Sequence, residues 1–187
     1  MANPKFEREE ELAALYEISS AILGTLDVDA VLQRVCDNAQ RLLNAGGAMM
    51  TEYREEAHEF FLHTCSGSLR PALHHAFPAE QSLSARALSQ GEPVVDNDVP
   101  TGPAADIAAS LPAPIDRALI ALLNGRDGVL GTLVCTATKE REPFSDADAE
   151  LLAAFATQAA LAVENARYYQ EERARAQELE LLRRLRE

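Results

Sequence analysis

The sequence has no tryptophan, few other aromatic residues and only three cysteines among its 187 residues. Cys36, Cys65 and Cys135 lie far apart, and none of them forms a Cys-x-x-Cys pair. An odd number of isolated cysteines predicts neither a disulfide framework nor a zinc site. We therefore expect a cytoplasmic protein whose cysteines are small, buried apolar residues.

Long hydrophobic runs are missing as well. No apolar stretch approaches the roughly 18–20 residues that a membrane-spanning helix needs, and the polar, acidic opening MANPKFEREEE is not a signal peptide. Basic residues are outnumbered, with 17 Lys and Arg against 30 Asp and Glu and a net charge of −13. Because this charge repels phosphate backbones and anionic lipids, we expect neither nucleic-acid binding nor membrane insertion.

The sequence does contain enough apolar residues, 47%, to form a packed core. Its length suits one domain with some additional helix. Two helices are predicted at the start, over residues 6–24 and from Asp27 to the turn at 44–47. In the first, apolar residues recur every three or four positions: Leu12, Leu15, Ile18 and Ile22. The periodicity places them on one face of the helix.

The middle of the chain predicts strands separated by turns, a short helix and a long loop. Residues 82–90 predict the helix, with Ser82 as its cap and Gly91 as its end. Residues 99–116 contain four prolines and predict a long loop with a single helical turn at 104–110. Five segments have strand composition: residues 48–53, 59–66, 93–97, 118–123 and 129–138.

A long final helix is predicted from Ser145, which stands three residues before Asp148 in capping-box spacing. The first half of this helix is apolar. From Tyr168 onward it is mostly Glu, Arg and Ala, with five acidic and five basic residues and leucines at 179, 182 and 185. Such a segment cannot pack wholly on its own domain, so it predicts a coiled coil with another helix.

This order of elements, together with three stretches of sequence, resembles a GAF domain, the small-molecule sensory module of bacterial signalling proteins. The most specific stretches are the strand–turn–strand sequence GVLGTLV and the set Lys139, Phe144 and Asp148 that leads into the last helix. The opening LYEISSAILGTLDVDAVLQRV is also similar to the start of such domains. The resemblance covers roughly residues 10–170.

The resemblance implies an α/β fold of the α+β type. Its centre is a six-stranded antiparallel sheet with helices on both sides, flanked by long N- and C-terminal helices. It divides the chain into a signalling helix (1–26), the GAF domain (27–167) and a coiled-coil helix (168–187). It also implies a homodimer through the terminal helices and an effector domain, such as the kinase of a two-component system. Nothing after Glu187 resembles an effector, so we expect a stand-alone sensor or a fragment.

The resemblance places a ligand between the sheet and the loops on its distal face. In this chain those loops include residues 74–78 and 99–116, whose Ala and Pro content suggests apolar walls. Arg117, at the end of the second loop, would face a small anion or pair with an Asp. The candidate pocket residues are His74, His75, Phe77, Val95, Asp96, Asp98, Ile107, Ile115 and Arg117.

Lys139, Phe144 and Asp148 resemble part of the motif of cyclic-nucleotide-binding GAF domains. In that motif an Asn precedes the Lys and a Glu follows the Asp, whereas this chain has Thr138 and Ala149. We therefore favour a structural role, in which Lys139 and Asp148 tie the last strand to the final helix and Phe144 packs beneath.

The residues that support other chemistries in GAF domains are missing from this chain, so no cofactor is predicted. The segment that would carry a haem-ligating His or a bilin-binding Cys, residues 111–117, has neither. His74 or His75 as a metal or haem ligand remains an alternative, as do loop carboxylates. The Trp- and Cys-rich motifs of free methionine sulfoxide reductases are absent, so we expect no enzyme activity from this chain. The remaining alternative is a ligand-free structural dimerisation module.

Overall fold

The computed structural model describes residues 28–184, so the predicted helix over 6–24 and the proposed unit 1–26 lie outside the described residues. The helices are α1 (Val28–Leu42), α2 (Leu83–Gln90), α3 (Ala105–Ser110) and α4 (Asp146–Arg184). The strands are β1 (Gly47–Arg54), β2 (Glu59–Gly67), β3 (Ala76–Pro78), β4 (Val94–Asp96), β5 (Arg117–Gly125) and β6 (Gly128–Ala137).

The strands form one six-stranded sheet in the order β3-β2-β1-β6-β5-β4, and every neighbouring pair is antiparallel. This confirms the expected fold class. Five of the strands match the five segments identified from composition. The sixth, β3, was predicted as loop, because it has only three residues and ends at Pro78. Its position at the edge of the sheet tolerates a proline.

Local signals explain where the helices begin and end. The Ser82 hydroxyl accepts a hydrogen bond from the Ala85 amide at 3.0 Å and caps α2, and Gly91 ends that helix with a φ of 70°. At the start of α4, Asp148 accepts from the Ser145 amide at 2.8 Å, while the Asp148 amide donates back to the Ser145 hydroxyl at 3.2 Å. The capping box is therefore formed as predicted.

Strands β1 and β6 approach each other closely at Gly131. A Cβ atom added there would overlap the carbonyl oxygen of Thr51. Only glycine permits this approach, which brings the Thr51 and Thr132 side chains together on the same side of the sheet.

The sheet separates two hydrophobic clusters. On one side, which we call the helix face, α1 and α4 pack on β1, β5 and β6. On the other, the loop face, the sheet is covered by α2, α3 and the connections around them. Alternation along β5 distributes its side chains, with Leu119, Ala121 and Leu123 on the helix face and Ala118 and Ile120 on the loop face.

Helix α4 is continuous from Asp146 to Arg184, with no break near residue 167. Its first half is buried on the helix face, including Leu152, Phe155 and Val163. Beyond Ala166 its side chains, where described, are exposed to solvent. Among the described helices, none has an apolar stretch long enough to cross a bilayer.

Candidate ligand-binding site

The loop face contains a cavity of about 40 Å³ between the sheet and its covering loops. Its floor is formed by Met49, Val134 and Ile120, which are neighbours across β1, β6 and β5 in the pairing register. Phe77 of β3 closes one side. A water molecule needs about 10–15 Å³ on this measure, so the cavity accepts about three waters or one very small molecule.

The cavity is covered by residues 97–116, which we call the lid. The lid contributes Val99, Ala104, Ile107, Leu111 and Ile115 to the cavity wall. Its base is closed by a hydrogen bond from the Val99 amide to the Asp116 carbonyl at 3.0 Å. Many of its side chains are no larger than Ala or Pro, so the packing of the lid depends on a few larger apolar residues, of which Val99, Leu111 and Ile115 are buried.

Both ends of the lid are hydrogen-bonded to the segment that leads into α4. At the first end, the Asn97 amide group donates to the Phe144 carbonyl at 3.0 Å and accepts from the Phe144 N–H at 2.8 Å. At the second end, the Asp116 carboxylate accepts from the Lys139 N–H at 3.1 Å, and the Asp116 N–H donates to the Ala137 carbonyl. The lid and the segment that leads into α4 are therefore directly connected.

Three buried hydroxyl groups form a chain that ends at the cavity. The Thr51 and Thr132 hydroxyl oxygens lie 2.6 Å apart, and those of Thr132 and Ser84 lie 2.9 Å apart. Ser84 lines the cavity, as do Ser82, whose hydroxyl caps α2, and Thr136. The cavity wall is otherwise apolar, and among the described residues no charged side chain lines it.

Of the predicted pocket residues, the structure places Phe77, Ile107 and Ile115 at the cavity. Val95 and Arg117 lie on the opposite side of the sheet. Val95 packs against the helix-face cluster. Arg117 has the strand parity of Leu119 rather than that of Ala118, which lines the cavity. The Arg117 Nε and Nη1 atoms are buried without a hydrogen-bond partner.

The predicted carboxylates and histidines also lie outside the cavity wall. Asp96 accepts from the Asp98 amide at 2.9 Å, and Asp98 accepts from the Thr101 hydroxyl at 2.7 Å, so both stabilise the turn that begins the lid. His74 and His75 are exposed, and the His74 ring stacks on Phe61 with centroids 5.9 Å apart. In the described part of the chain, no group of three or more His, Cys, Asp or Glu residues could hold a metal ion.

The set Lys139, Phe144 and Asp148 lies at the junction of β6 and α4. Phe144 is buried in the helix-face cluster, as the structural role requires. The cation paired with Asp148 is Arg141, with Nη2 3.3 Å from the carboxylate, rather than Lys139. The Arg141 guanidinium also lies 4.0 Å from the centre of the Phe144 ring. Lys139 contributes its backbone amide to Asp116 instead.

The three cysteines are buried in regular elements and are not disulfide-bonded. Burial raises the pKa of the Cys65 thiol to about 11 and that of Cys135 to about 12. Burial also raises the pKa of Cys36 well above its ordinary value, with a further contribution from the nearby Cys135. A nucleophilic cysteine needs a lowered pKa and solvent access, whereas these thiols are buried and their pKa values are raised.

Sequence reasoning missed the floor of the cavity and its hydroxyl groups. Met49, Ile120 and Val134 look like ordinary strand residues, and their convergence depends on the strand order. The one available signal for Thr132 was its place in the GVLGTLV stretch, where a hydroxyl interrupts an otherwise apolar strand.

Comparison with known proteins agrees with this architecture. A family model described as a GAF domain matches residues 25–164. The second GAF domain of DevS from Mycobacterium smegmatis is 23% identical, with a TM-score of 0.64 over 78% of this chain and 99% of that one. The GAF domain of a phosphoenolpyruvate-protein phosphotransferase from Coxiella burnetii is 17% identical, with a TM-score of 0.73 over 87% and 98%.

The same fold also occurs in an enzyme. A free methionine-R-sulfoxide reductase from Neisseria meningitidis, solved with its substrate, is 20% identical, with a TM-score of 0.70 over 90% of this chain and 96% of that one. At these identities the structural likenesses establish the fold alone, whereas the family model covers most of the chain. The chain belongs to the GAF domain family.

Proposed function

We propose that this GAF domain is a sensory module that binds a small molecule beneath the lid and transmits the signal through α4. The observation that carries the proposal is the attachment of both lid ends to the segment before α4, through the Asn97–Phe144 pair and the Asp116–Lys139 bond. A site of this kind couples the occupancy of the cavity to the position of the helix.

The mechanism is a shift between two lid arrangements. A ligand that binds one arrangement more tightly changes its population, and the differential affinity sets the size of the shift. Because Asn97 bonds both the N–H and the carbonyl of Phe144, the turn before α4 follows the lid. The effector, such as a kinase of a two-component system, would respond to the position of α4.

The exposed half of α4 supports a homodimer. Tyr168, Tyr169, Leu179 and Leu182 are all at least half exposed on this half of the helix. A single helix of this composition has no core of its own to bury these side chains, and a second copy of the same helix would cover them. The proposed coiled-coil segment is residues 168–187, with the N-terminal segment beside it.

A screen of cytoplasmic metabolites by thermal shift tests the sensory function. A ligand at a hundred times its Kd raises the unfolding free energy by about 2.7 kcal/mol, a readily measured increase in Tm. Sedimentation of the full chain and of a variant that ends at Arg167 tests the dimer. Loss of self-association in the truncated variant is expected, and an equally dimeric truncated variant would place the interface elsewhere.

One observation favours a second function, a structural dimerisation module without a ligand. The cavity of about 40 Å³ is small for a metabolite unless the lid moves. If no metabolite raises the Tm and the chain still dimerises, the structural role replaces the sensory one. Catalysis of the reductase type is not proposed, because the thiols are buried and their pKa values are raised.

A further inference from the structure

The first half of helix α4 has an outer face that its own domain leaves uncovered. Residues 151–163 contain no charged side chain, although 25% of the whole chain is charged. Leu152 is buried on the helix face, and Leu161 follows it by about two and a half turns, so the two side chains point in opposite directions. Leu161 is exposed, as are Ala154 and Gln158. A solvated helix face normally carries charges, so this composition indicates a surface that another helix covers.

The exposed residues of this outer face repeat with the period of a coiled coil. With Leu161 at position d of a heptad, Tyr168 and Leu182 are also at d, and Leu179 is at a. The last three are each more than half exposed. Because α4 is one continuous helix, its two halves share a single stripe. We call this stripe the seam, defined as the a and d positions within residues 154–182.

The exposed half of α4 provides only a short part of the seam. Residues 168–182 span about two heptads, and two charged residues, Glu172 and Arg175, occupy the a and d positions in their middle. Coiled coils typically sustain their heptads over about three to four repeats. Extension of the seam through Leu161 to Ala154 lengthens it to about four heptads. A stable pairing of α4 therefore requires the outer face of the domain half as well.

The polar residues of the seam fit a second copy of α4 that runs parallel and in register. In that arrangement each seam residue meets its own equivalent, so Leu161 packs on Leu161 and Asn165 on Asn165. The Asn165 amide can both donate and accept across the pair, and an Asn at an a position fixes register in coiled coils. Glu172 and Arg175 are paired within one helix, with Oε1 and Nη1 3.2 Å apart, so these layers add no net charge.

An antiparallel copy matches the seam less well. It brings Asn165 to its own equivalent only if the two helices cross at that residue. Glu172 and Arg175 would then lie opposite residues 155–158 of the second copy, a stretch without any opposite charge. Charged groups that are covered by an uncharged surface lose solvation without gaining a partner. The charge pattern of α4 therefore favours the parallel direction.

We propose that the seam binds α4 of a second copy of this chain, parallel and in register, and that the interface begins within the domain at Ala154. This inference rests on the proposed homodimer and specifies its surface and direction. Ala154 is about two turns from Asp146, the first residue of α4. The lid, which is bonded to Phe144, would therefore lie close to the helix pair that carries the signal.

Disulfide cross-linking of the full chain tests the surface. Leu161→Cys, Tyr168→Cys and Leu182→Cys each place a thiol on the seam, whereas Arg167→Cys and Gln177→Cys place one at exposed positions outside it. With copper phenanthroline as the oxidant, the three seam variants should form covalent dimers and the two controls should not. The native cysteines are buried, so the wild type serves as the background.

The same variants determine the direction of the pair. A parallel, in-register pair brings each of the three seam positions to its own equivalent, so all three should cross-link. In an antiparallel pair only the residue at the crossing point meets its equivalent, and the three positions are at least seven residues apart. Cross-linking at one position alone would therefore overturn the parallel arrangement.

Sedimentation of full-chain variants measures the contribution of the domain half. Leu161→Glu removes an apolar contact and opposes two carboxylates across the pair, so the dimer Kd should rise at least about tenfold. Gln177→Glu adds the same charge outside the seam and should leave the Kd unchanged. Leu161 is 39% exposed in one copy, so both variants should keep the Tm of the wild-type domain when diluted to monomers.

The outcomes separate the location of the interface from the existence of the dimer. Absence of a Leu161→Cys cross-link, or a Leu161→Glu variant that dimerises like the wild type, would overturn the extension into the domain and leave the homodimer standing. If no seam variant cross-links although the wild type sediments as a dimer, another occupant, such as the N-terminal segment of the same chain, covers the seam and the inference is wrong. A monomeric wild type would remove the homodimer from the proposed function, and this inference with it.

Discussion

The two faces of the sheet are closed in different ways. The helix face is covered by two long helices, and its buried residues include Phe155, Leu152 and Val35. The loop face is covered by helices of eight and six residues and by the lid, and it contains both the cavity and the hydroxyl chain. Under the proposed function, ligand recognition belongs to the loop face and much of the stability to the helix face, so changes on the two sides should have separable effects.

The largest expected effect is loss of packing on the helix face. Phe155 is 1% exposed, and its replacement in Phe155→Ala should lower the unfolding free energy by about 3–5 kcal/mol, because it leaves a cavity in the helix-face cluster. The matched loop-face change is Ile107→Ala in the lid, where the side chain is only partly buried. We expect about 1 kcal/mol there. Urea denaturation measures both, and equal losses would contradict the division between the faces.

The second effect is a loss of stability at alkaline pH, which is due to the buried Cys135 thiol on the helix face. Burial raises the pKa of Cys135 to about 12, whereas an unfolded thiol ionises near about 8.5. The stabilisation is therefore complete below the unfolded pKa and is lost as the pH rises towards the folded value. By pH 10 the loss should be about 2 kcal/mol.

Urea denaturation at pH 7 and pH 10 measures this loss, with Cys135→Ala as the control that has no thiol to titrate. The fall in unfolding free energy should be about 2 kcal/mol larger in the wild type than in the variant. Parallel falls in both proteins would mean that the Cys135 thiol ionises as readily in the folded protein as in the unfolded chain.

A smaller effect concerns the connection between the faces. Asn97→Ala removes both hydrogen bonds to Phe144 and should cost about 1–2 kcal/mol. More specifically, a ligand should still bind the cavity but should no longer change amide hydrogen exchange in the first turns of α4. Asn124→Ala, at an exposed position of β5, is the control and should keep the response. An unchanged α4 response in Asn97→Ala would mean that the signal passes through Asp116 alone.

Much of the fold could be predicted from the sequence because its signals are local. Caps and turn residues, such as Ser82, Gly91 and the Ser145–Asp148 box, mark helix ends without knowledge of the rest of the chain. Strand β3 was missed because three residues with a terminal proline provide no periodicity. The pairing that defines β3, Phe77 with Phe60 and Ala76 with Phe61, is a property of the sheet.

The candidate site was harder to predict because it depends on which face each strand residue occupies. The run ALIALL in β5 is apolar on both faces, so its alternation carries no sign of which side holds the cavity. Val95 and Arg117, which we predicted as pocket residues, consequently lie on the side of the sheet opposite the cavity. The hydroxyl chain joins residues from β1, β6 and α2, and only the tertiary fold brings these together.

The smallest expected effect is a gain in stability rather than a loss, and it concerns Arg117. The Nε and Nη1 atoms of Arg117 are buried on the helix face without partners. Replacing them with an apolar side chain of similar length in Arg117→Met should leave the unfolding free energy unchanged or raise it by about 1 kcal/mol. Arg141→Met is the contrast, because it removes the ion pair with Asp148 and a hydrogen bond of 2.8 Å to the Leu43 carbonyl, and it should destabilise. Both are measured by urea denaturation. A fall in the unfolding free energy of Arg117→Met as large as that of Arg141→Met would mean that the Arg117 guanidinium has a stabilising partner, and would contradict the prediction.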